Sequence, residues 1–263
     1  MSTPGAPLPI APDAAALIAR IEAHDPRPGD VIALDADGTL WAGDVGDDLM
    51  YAAIEAGLFR EPIRPGLQAV LEQSGLPTDG DLPALVRRID AGFRAGQVPE
   101  QTTYEMMTWA YAGLGENELD NFARAALTAA GLPGRVHPAI PEVLAYAEAS
   151  GLWIQIVSAS PIAAVRAGLA LTGLPARGVA AGQPAVEAGV LQPRLARPLP
   201  YAHQKVVAAR EAIGGARWLA SFGDSAFDVE LLAAAALAVV VGRRAGLRAR
   251  LGEIGGDKTA YEP

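Results

Sequence analysis

Six residues could carry chemistry: Asp35, Asp37, Ser158, Lys205, Asp224 and Asp228. Carboxylates, a hydroxyl and an ammonium are groups that move protons and bind ions, provided they meet in one place. Singly, each has an ordinary structural reading. A lone aspartate after a strand is a turn former or helix cap, and Asp37-Gly38 is a turn dipeptide. Ser158 would cap a following helix. Lys205 would be a solvated helix lysine, and Asp228 a first-turn acid favoured by the helix dipole. Position argues for more. Asp35, Ser158 and Asp224 each stand just after a short apolar run. In a doubly wound sheet the carboxyl ends of the strands open onto the ligand crevice, so residues far apart in sequence can converge there.

The elements that must position them follow from periodicity. Apolar runs at residues 31–34, 153–157, 218–222 and 237–241 read as buried strands, the second ending at Ser158 and the third at Gly223-Asp224. Helical patterns fall at 14–23, 138–150, 161–171, 203–213, 227–234 and 245–251, and residues 178–195 read as a small hairpin around Glu187-Ala188-Gly189. Alternating strands and helices predict an α/β fold with a parallel sheet covered on both faces. Between 47 and 130 the signals are almost all helical: 47–56, 65–73, 82–95, 100–112 and 116–130, separated by Gly and Pro.

Bulk properties narrow the classes. The chain has 263 residues, 51% hydrophobic and 19% charged, a globular composition. A net charge of −9 gives no general attraction to nucleic acid or anionic lipid, so neither is an expected partner. The absence of cysteine excludes disulfides, thiolate nucleophiles and cysteine-ligated metals. Residues 1–12 lack the basic and apolar regions of a signal peptide, and the longest apolar stretch, 231–241, is too short to span a bilayer. A cytoplasmic protein is the expectation.

Together, Asp35-Ala36-Asp37-Gly38-Thr39-Leu40 after a strand, Ser158 after a strand, Lys205, and Gly223-Asp224-Ser225 with Asp228 resemble the four ordered motifs of the haloacid dehalogenase-like superfamily. The resemblance implies a Rossmann-like, mostly parallel core at 1–43 and 136–263, with a helical cap inserted at 44–135. It implies that Asp35 attacks phosphorus to form an acyl phosphate. Asp37 would be the general acid and base. Dehalogenases of the superfamily lack an Asp at that place and P-type ATPases have Thr, so Asp37 implies a phosphohydrolase or phosphomutase. Ser158, Lys205 and backbone amides near Gly38 would hold the phosphoryl group. Two anions must meet, so a hard cation is implied: Mg²⁺ on Asp35, Asp224 and the Asp37 carbonyl, with Asp228 holding a metal-bound water or a ligand residue.

A cap that closes over the site implies a small phosphorylated metabolite as substrate. The phosphoserine phosphatase-like branch fits best. Its ammonium-binding acid corresponds to Asp44, while its carboxylate-binding arginine, counted from Tyr104, falls on Tyr111. Trp41 and the aromatics Tyr104, Trp109 and Tyr111 beside a carboxylate suit a cationic amine head such as phosphocholine or phosphoethanolamine. Packing of the cap's own core explains the same spacing. A phosphomutase, or a phosphate-binding relative without catalysis, are the alternatives.

Overall fold

The computed structural model describes residues 8–263, so the leader expectation for residues 1–12 lies largely outside the described residues. Its centre is a sheet of six parallel strands, in the spatial order 178–182, 153–161, 31–34, 218–223, 237–241 and 257–261. Helix α1 (Ala14–Glu22) is capped by the Asp13 side chain and leads into β1 (Val31–Leu34). All four β1 residues are buried, as a strand covered on both faces requires.

Five α-helices fill residues 45–129: α2 (Val45–Ala56), α3 (Arg64–Gln73), α4 (Leu82–Arg94), α5 (Glu100–Trp109) and α6 (Glu116–Ala129). Their ends carry local signals. Asp44 caps α2, Asp81 caps α4, and Gly57 ends α2 at φ +60°. Helix α5 stops three residues short of its expected end, leaving Tyr111 in the turn that follows. Helix α6 packs along the helix at Ile162–Thr172, which ties this helical segment to the sheet.

The remainder alternates as expected: α7 (Ile140–Ala149), β2 (Trp153–Pro161), α8 (Ile162–Thr172), β3 (Gly178–Gly182), β4 (Pro184–Glu187), β5 (Val190–Leu195), α9 (His203–Ile213), β6 (Trp218–Gly223), α10 (Val229–Ala233), β7 (Leu237–Val241), α11 (Ala245–Ala249) and β8 (Asp257–Tyr261). Four details correct the sequence reading. Strand β2 runs beyond Ser158 to Pro161 through an irregularity in its pairing with β3. Only β4 and β5 form the hairpin, because residues 178–182 join the main sheet. The expected helix at 227–234 is a 3-10 turn followed by α10. Strand β8 was not foreseen: its polar start, Asp257-Lys258-Thr259, hides an edge strand that pairs with β7.

The core is continuous from sheet to helical segment, with Trp41, Leu40, Leu49 and Leu67 all fully buried. Each such side chain contributes roughly 1.5–3 kcal/mol relative to exposure. The consequence for function is simple. Strands β2, β1 and β6 are neighbours, so their carboxyl ends, which carry Ser158, Asp35 and Asp224, lie side by side.

Candidate active site

Asp35 directly follows β1, and its N–H donates to the Phe222 carbonyl of β6 (3.0 Å). The next residues turn sharply: the Leu40 N–H donates to the Ala36 carbonyl (2.8 Å) and the Gly38 N–H to the Trp41 carbonyl (2.8 Å). Gly38 has φ +77°, and a Cβ there would stand 2.0 Å from Asp224 Oδ2. Glycine is therefore required both by the turn and by the approach of Asp224.

Lys205 reaches this point from the first turn of α9. Its buried Nζ donates to Asp35 Oδ1 (2.7 Å) and Asp228 Oδ1 (2.5 Å). The second oxygen of Asp228 accepts from the Asp224 N–H (3.3 Å), the Ser225 N–H (3.0 Å) and the Ser225 hydroxyl (2.8 Å). Both oxygens of Asp228 are thus engaged, which fixes the loop after β6. Carboxylate oxygens of Asp35, Asp224 and Asp228 lie within 4.8 Å of one another. An all-oxygen set of this kind suits a hard divalent cation.

The Asp37 carboxylate sits apart from that group. Its Oδ1 accepts from Trp41 Nε1 (2.9 Å) and the Val45 N–H (2.8 Å), and its Oδ2 from the Ser160 hydroxyl (2.6 Å). The Ser158 hydroxyl accepts from the Ser160 N–H (3.0 Å) rather than capping α8. Ser158, Ser160, Asp35, Asp37, Lys205 and Asp224 all line one open cavity.

Burial of so many acids has an electrostatic cost. Desolvation, with the nearby Asp228 and Asp37 charges, pushes the Asp35 carboxyl up to about 7 although Lys205 pulls it down. Desolvation and the Asp44 charge push Asp37 up to about 7. Asp224 rises to about 8 through desolvation and the charges of Asp35 and Asp228. Burial disfavours the charged form of Lys205, but Asp228 and Asp35 outweigh it and keep the ammonium protonated. The convergent carboxylate oxygens of Asp35, Asp224 and Asp228 are the donor set that a hard divalent cation takes, so the residues present fit one.

The cavity's outer wall corrects the specificity expectations. Asp44 lines the cavity as expected, while also capping α2 through its Oδ1, which accepts from the Gly46 and Asp47 N–H groups. Trp41, Trp109 and Tyr111 do not line it. Trp41 is fully buried against α8, where a Cβ on Gly168 would come within 2.9 Å of its ring. Trp109 packs on α3, where a Cβ on Gly66 would meet its ring at 2.9 Å. Tyr111 is 1% exposed and lies 6.1 Å from Phe59, centroid to centroid. These three fill the interior, as helical spacing alone allows.

The aromatics that do face the cavity are Tyr104, Tyr201 and Phe227. Their rings form a chain, Tyr104 to Tyr201 at 6.3 Å and Tyr201 to Phe227 at 4.6 Å. The Tyr104 hydroxyl lies 3.4 Å from Asp44 Oδ2. Glu100 and Arg244 complete the rim. Ser160, Glu100, Tyr201, Phe227 and Arg244 were not foreseen. Ser160 was within reach, since residues two apart on a strand share a face with Ser158. Arg244 stands three residues beyond the carboxyl end of β7, on the same edge of the sheet from which Asp35 and Asp224 emerge.

Comparison with known proteins agrees with this geometry. Residues 32–233 match the family of haloacid dehalogenase-like hydrolases. No curated protein sequence matches the chain. Among solved structures, a protein of unknown function from Bordetella pertussis Tohama I is 20% identical with a TM-score of 0.66, covering 89% of this chain and 99% of its own. A functionally unknown protein from Anaerococcus prevotii DSM 20548 is 16% identical with a TM-score of 0.67, covering 98% and 94%. A probable phosphoserine phosphatase from Vibrio cholerae is 14% identical with a TM-score of 0.53, covering 94% and 68%. At these identities the likeness is one of fold.

Proposed function

Because this chain belongs to the haloacid dehalogenase-like hydrolases, we propose that it is a magnesium-dependent phosphatase that forms a phospho-aspartate on Asp35. The observation that carries this reading is the meeting of Asp35, Asp37, Lys205 and Asp224 in one cavity. Asp35 is placed for attack on phosphorus. Its Oδ1 is paired with Lys205 and its Oδ2 accepts from the Thr39 hydroxyl (3.2 Å), which orients the carboxylate. Splitting hydrolysis into formation and breakdown of an acyl phosphate makes two easier steps of one.

Asp37 is the general acid and then the general base. Its separation from the acid cluster and its carboxyl near 7 let it hold a proton and release it near neutral pH. Ser160 keeps it aimed. Lys205 stays charged and sets positive potential beside the phosphoryl site, and the Ser158 hydroxyl offers a hydrogen bond to a phosphoryl oxygen. Asp35 and Asp224, with the Asp37 carbonyl, would hold Mg²⁺, and Asp228 fixes Asp224 and Lys205 around it. When bound, the ion would neutralise the repulsion between carboxylate and phosphate.

The helical segment 44–135 acts in this reading as a cap over a core of 1–43 and 136–263. The substrate is a small phosphorylated metabolite. Tyr104, Tyr201 and Phe227, with the carboxylates of Asp44 and Glu100, favour one with a cationic amine head. The test is phosphate release by wild type and Asp35→Asn, with Mg²⁺ and with EDTA, on phosphoserine, phosphocholine, phosphoethanolamine, sugar phosphates and nucleotides. Release by wild type alone, only with metal, and fastest on an amine-headed compound is expected. Equal release by wild type and Asp35→Asn would refute the phospho-aspartate, and preference for sugar phosphates or nucleotides would refute the amine head.

A further inference from the structure

Arg244 is a cation in an unexpected place. It stands between β7 and α11, its side chain is 63% exposed, and its Nε lies 2.8 Å from Asp224 Oδ2. Asp224 is one of the three carboxylates whose oxygens converge within 4.8 Å. The cavity carries five acids, Asp35, Asp37, Asp44, Glu100 and Asp224, against two cations, Lys205 and Arg244. Lys205 is buried and held by two carboxylates, so it is not free to move. Among the described residues Arg244 is held in the site only by Asp224, on a long and mostly solvated side chain.

We propose that Arg244 is a built-in counter-cation that exchanges with the divalent ion at Asp224. Without the ion, its guanidinium offsets the Asp224 charge. A metal ion taken up by Asp224 competes for that carboxylate and repels the guanidinium, which must leave. A second acid is at hand: Glu100, in the first turn of α5, lines the same cavity as Arg244. A displaced Arg244 therefore turns toward Glu100, joining the β7–α11 loop to the helical segment at the mouth. Metal binding and closure of the mouth are coupled through one side chain. The inference rests on the proposed reading of Asp35 and Asp224 as metal ligands.

The test is direct Mn²⁺ binding to the full chain by calorimetry, at low ionic strength and at pH 8.5. Arg244→Gln should bind Mn²⁺ more tightly, on the order of 5-fold, the size expected for a partly screened charge a few ångströms from the ion. Arg244→Lys, which keeps the charge, should stay near wild type. Arg248→Gln, which removes a neighbouring arginine paired with Glu262, should change nothing. Glu100→Gln should weaken Mn²⁺ binding more in the wild-type background than beside Arg244→Gln, since only the former has an arginine to release. Salt at 1 M should erase the difference between wild type and Arg244→Gln. Unchanged or weaker binding by Arg244→Gln overturns the exchange. Absence of Mn²⁺ binding by the wild type overturns the metal reading of the site itself, and the exchange with it.

Discussion

The Lys205 ammonium lies 2.7 Å from Asp35 Oδ1, with both side chains buried, although 170 residues separate them. The same nitrogen donates to Asp228 at 2.5 Å. One cation thus holds together two carboxylates from the loops after β1 and β6. Lys205→Met would leave both without their cation, although Asp228 keeps its bonds from the Asp224 and Ser225 N–H groups and Asp35 its bond from the Thr39 hydroxyl. Breaking a buried pair in this way costs about 3–5 kcal/mol. Urea denaturation in EDTA should show that loss at pH 8. It should shrink at pH 5, where Asp35, already raised to about 7 in the presence of Lys205, is protonated. A loss under about 1 kcal/mol at pH 8 would mean that the pair contributes little beyond its own desolvation.

Ser160 acts on the acid–base step through Asp37. Its hydroxyl, 2.6 Å from Asp37 Oδ2, favours the ionised carboxylate and so opposes the rise caused by burial. Removing that hydrogen bond in Ser160→Ala should raise Asp37 further. Protonated Asp37 is needed to donate to the leaving group. The alkaline limb of kcat/KM should therefore move to higher pH, with kcat falling about 10-fold from lost orientation. A profile that keeps its limbs in place would rule out this role for Ser160.

Stability without metal should fall as pH rises from 6 to 8.5. Asp35 and Asp37 are raised to about 7, Asp44 to about 6 and Asp224 to about 8, all above the unfolded value of 3.8. The folded chain therefore binds more protons than the unfolded chain in this range, and stability drains away through the folded values. His137, lowered by burial, works in the opposite direction near its unfolded value of 6.5, but it is one group against four. Thermal melts in EDTA should show the fall. Saturating Mg²⁺ should stabilise more at pH 8.5 than at pH 6, and equal stabilisation at both would contradict the site's electrostatics.

The two sets of aromatics should separate cleanly on mutation. The Tyr111 hydroxyl is buried without a hydrogen-bond partner among the described residues. Tyr111→Phe removes that unsatisfied group and should raise stability by about 1 kcal/mol with no change in kcat/KM. Tyr201→Ala opens the cavity wall between Tyr104 and Phe227. It should raise KM for an amine-headed phosphomonoester by about 5–10-fold, with less effect on one lacking the amine. Denaturation curves and paired KM measurements check both. Equal KM changes for the two substrates would remove the cationic head from the reading.

Much of the site was legible because its signals are local. A buried four-residue strand ending in Asp35, and another ending in Gly223-Asp224, are visible in a few residues of sequence. The rule that strand ends converge needs no coordinates. The helical run between residues 47 and 130 announces itself by periodicity and by Gly and Pro punctuation. Family membership follows from the order of these same motifs.

Facing could not be read the same way. Tyr104, Trp109 and Tyr111 fall within eight residues, yet only Tyr104 meets the cavity. Helix α5 ends at Trp109, so Tyr111 leaves the helical face, and α3 takes up the Trp109 ring. The partners of Tyr104 at the wall come from residues 201 and 227, on segments that meet it only through packing. The reach of Arg244 to Asp224 and of Ser160 to Asp37 depends likewise on where loops from separate strands cross. Sequence fixes which groups end a strand, because hydrophobic periodicity and turn chemistry act over a few residues. Which side chains share a cavity is decided by long-range packing, where burial of one aromatic excludes another and no short window holds both.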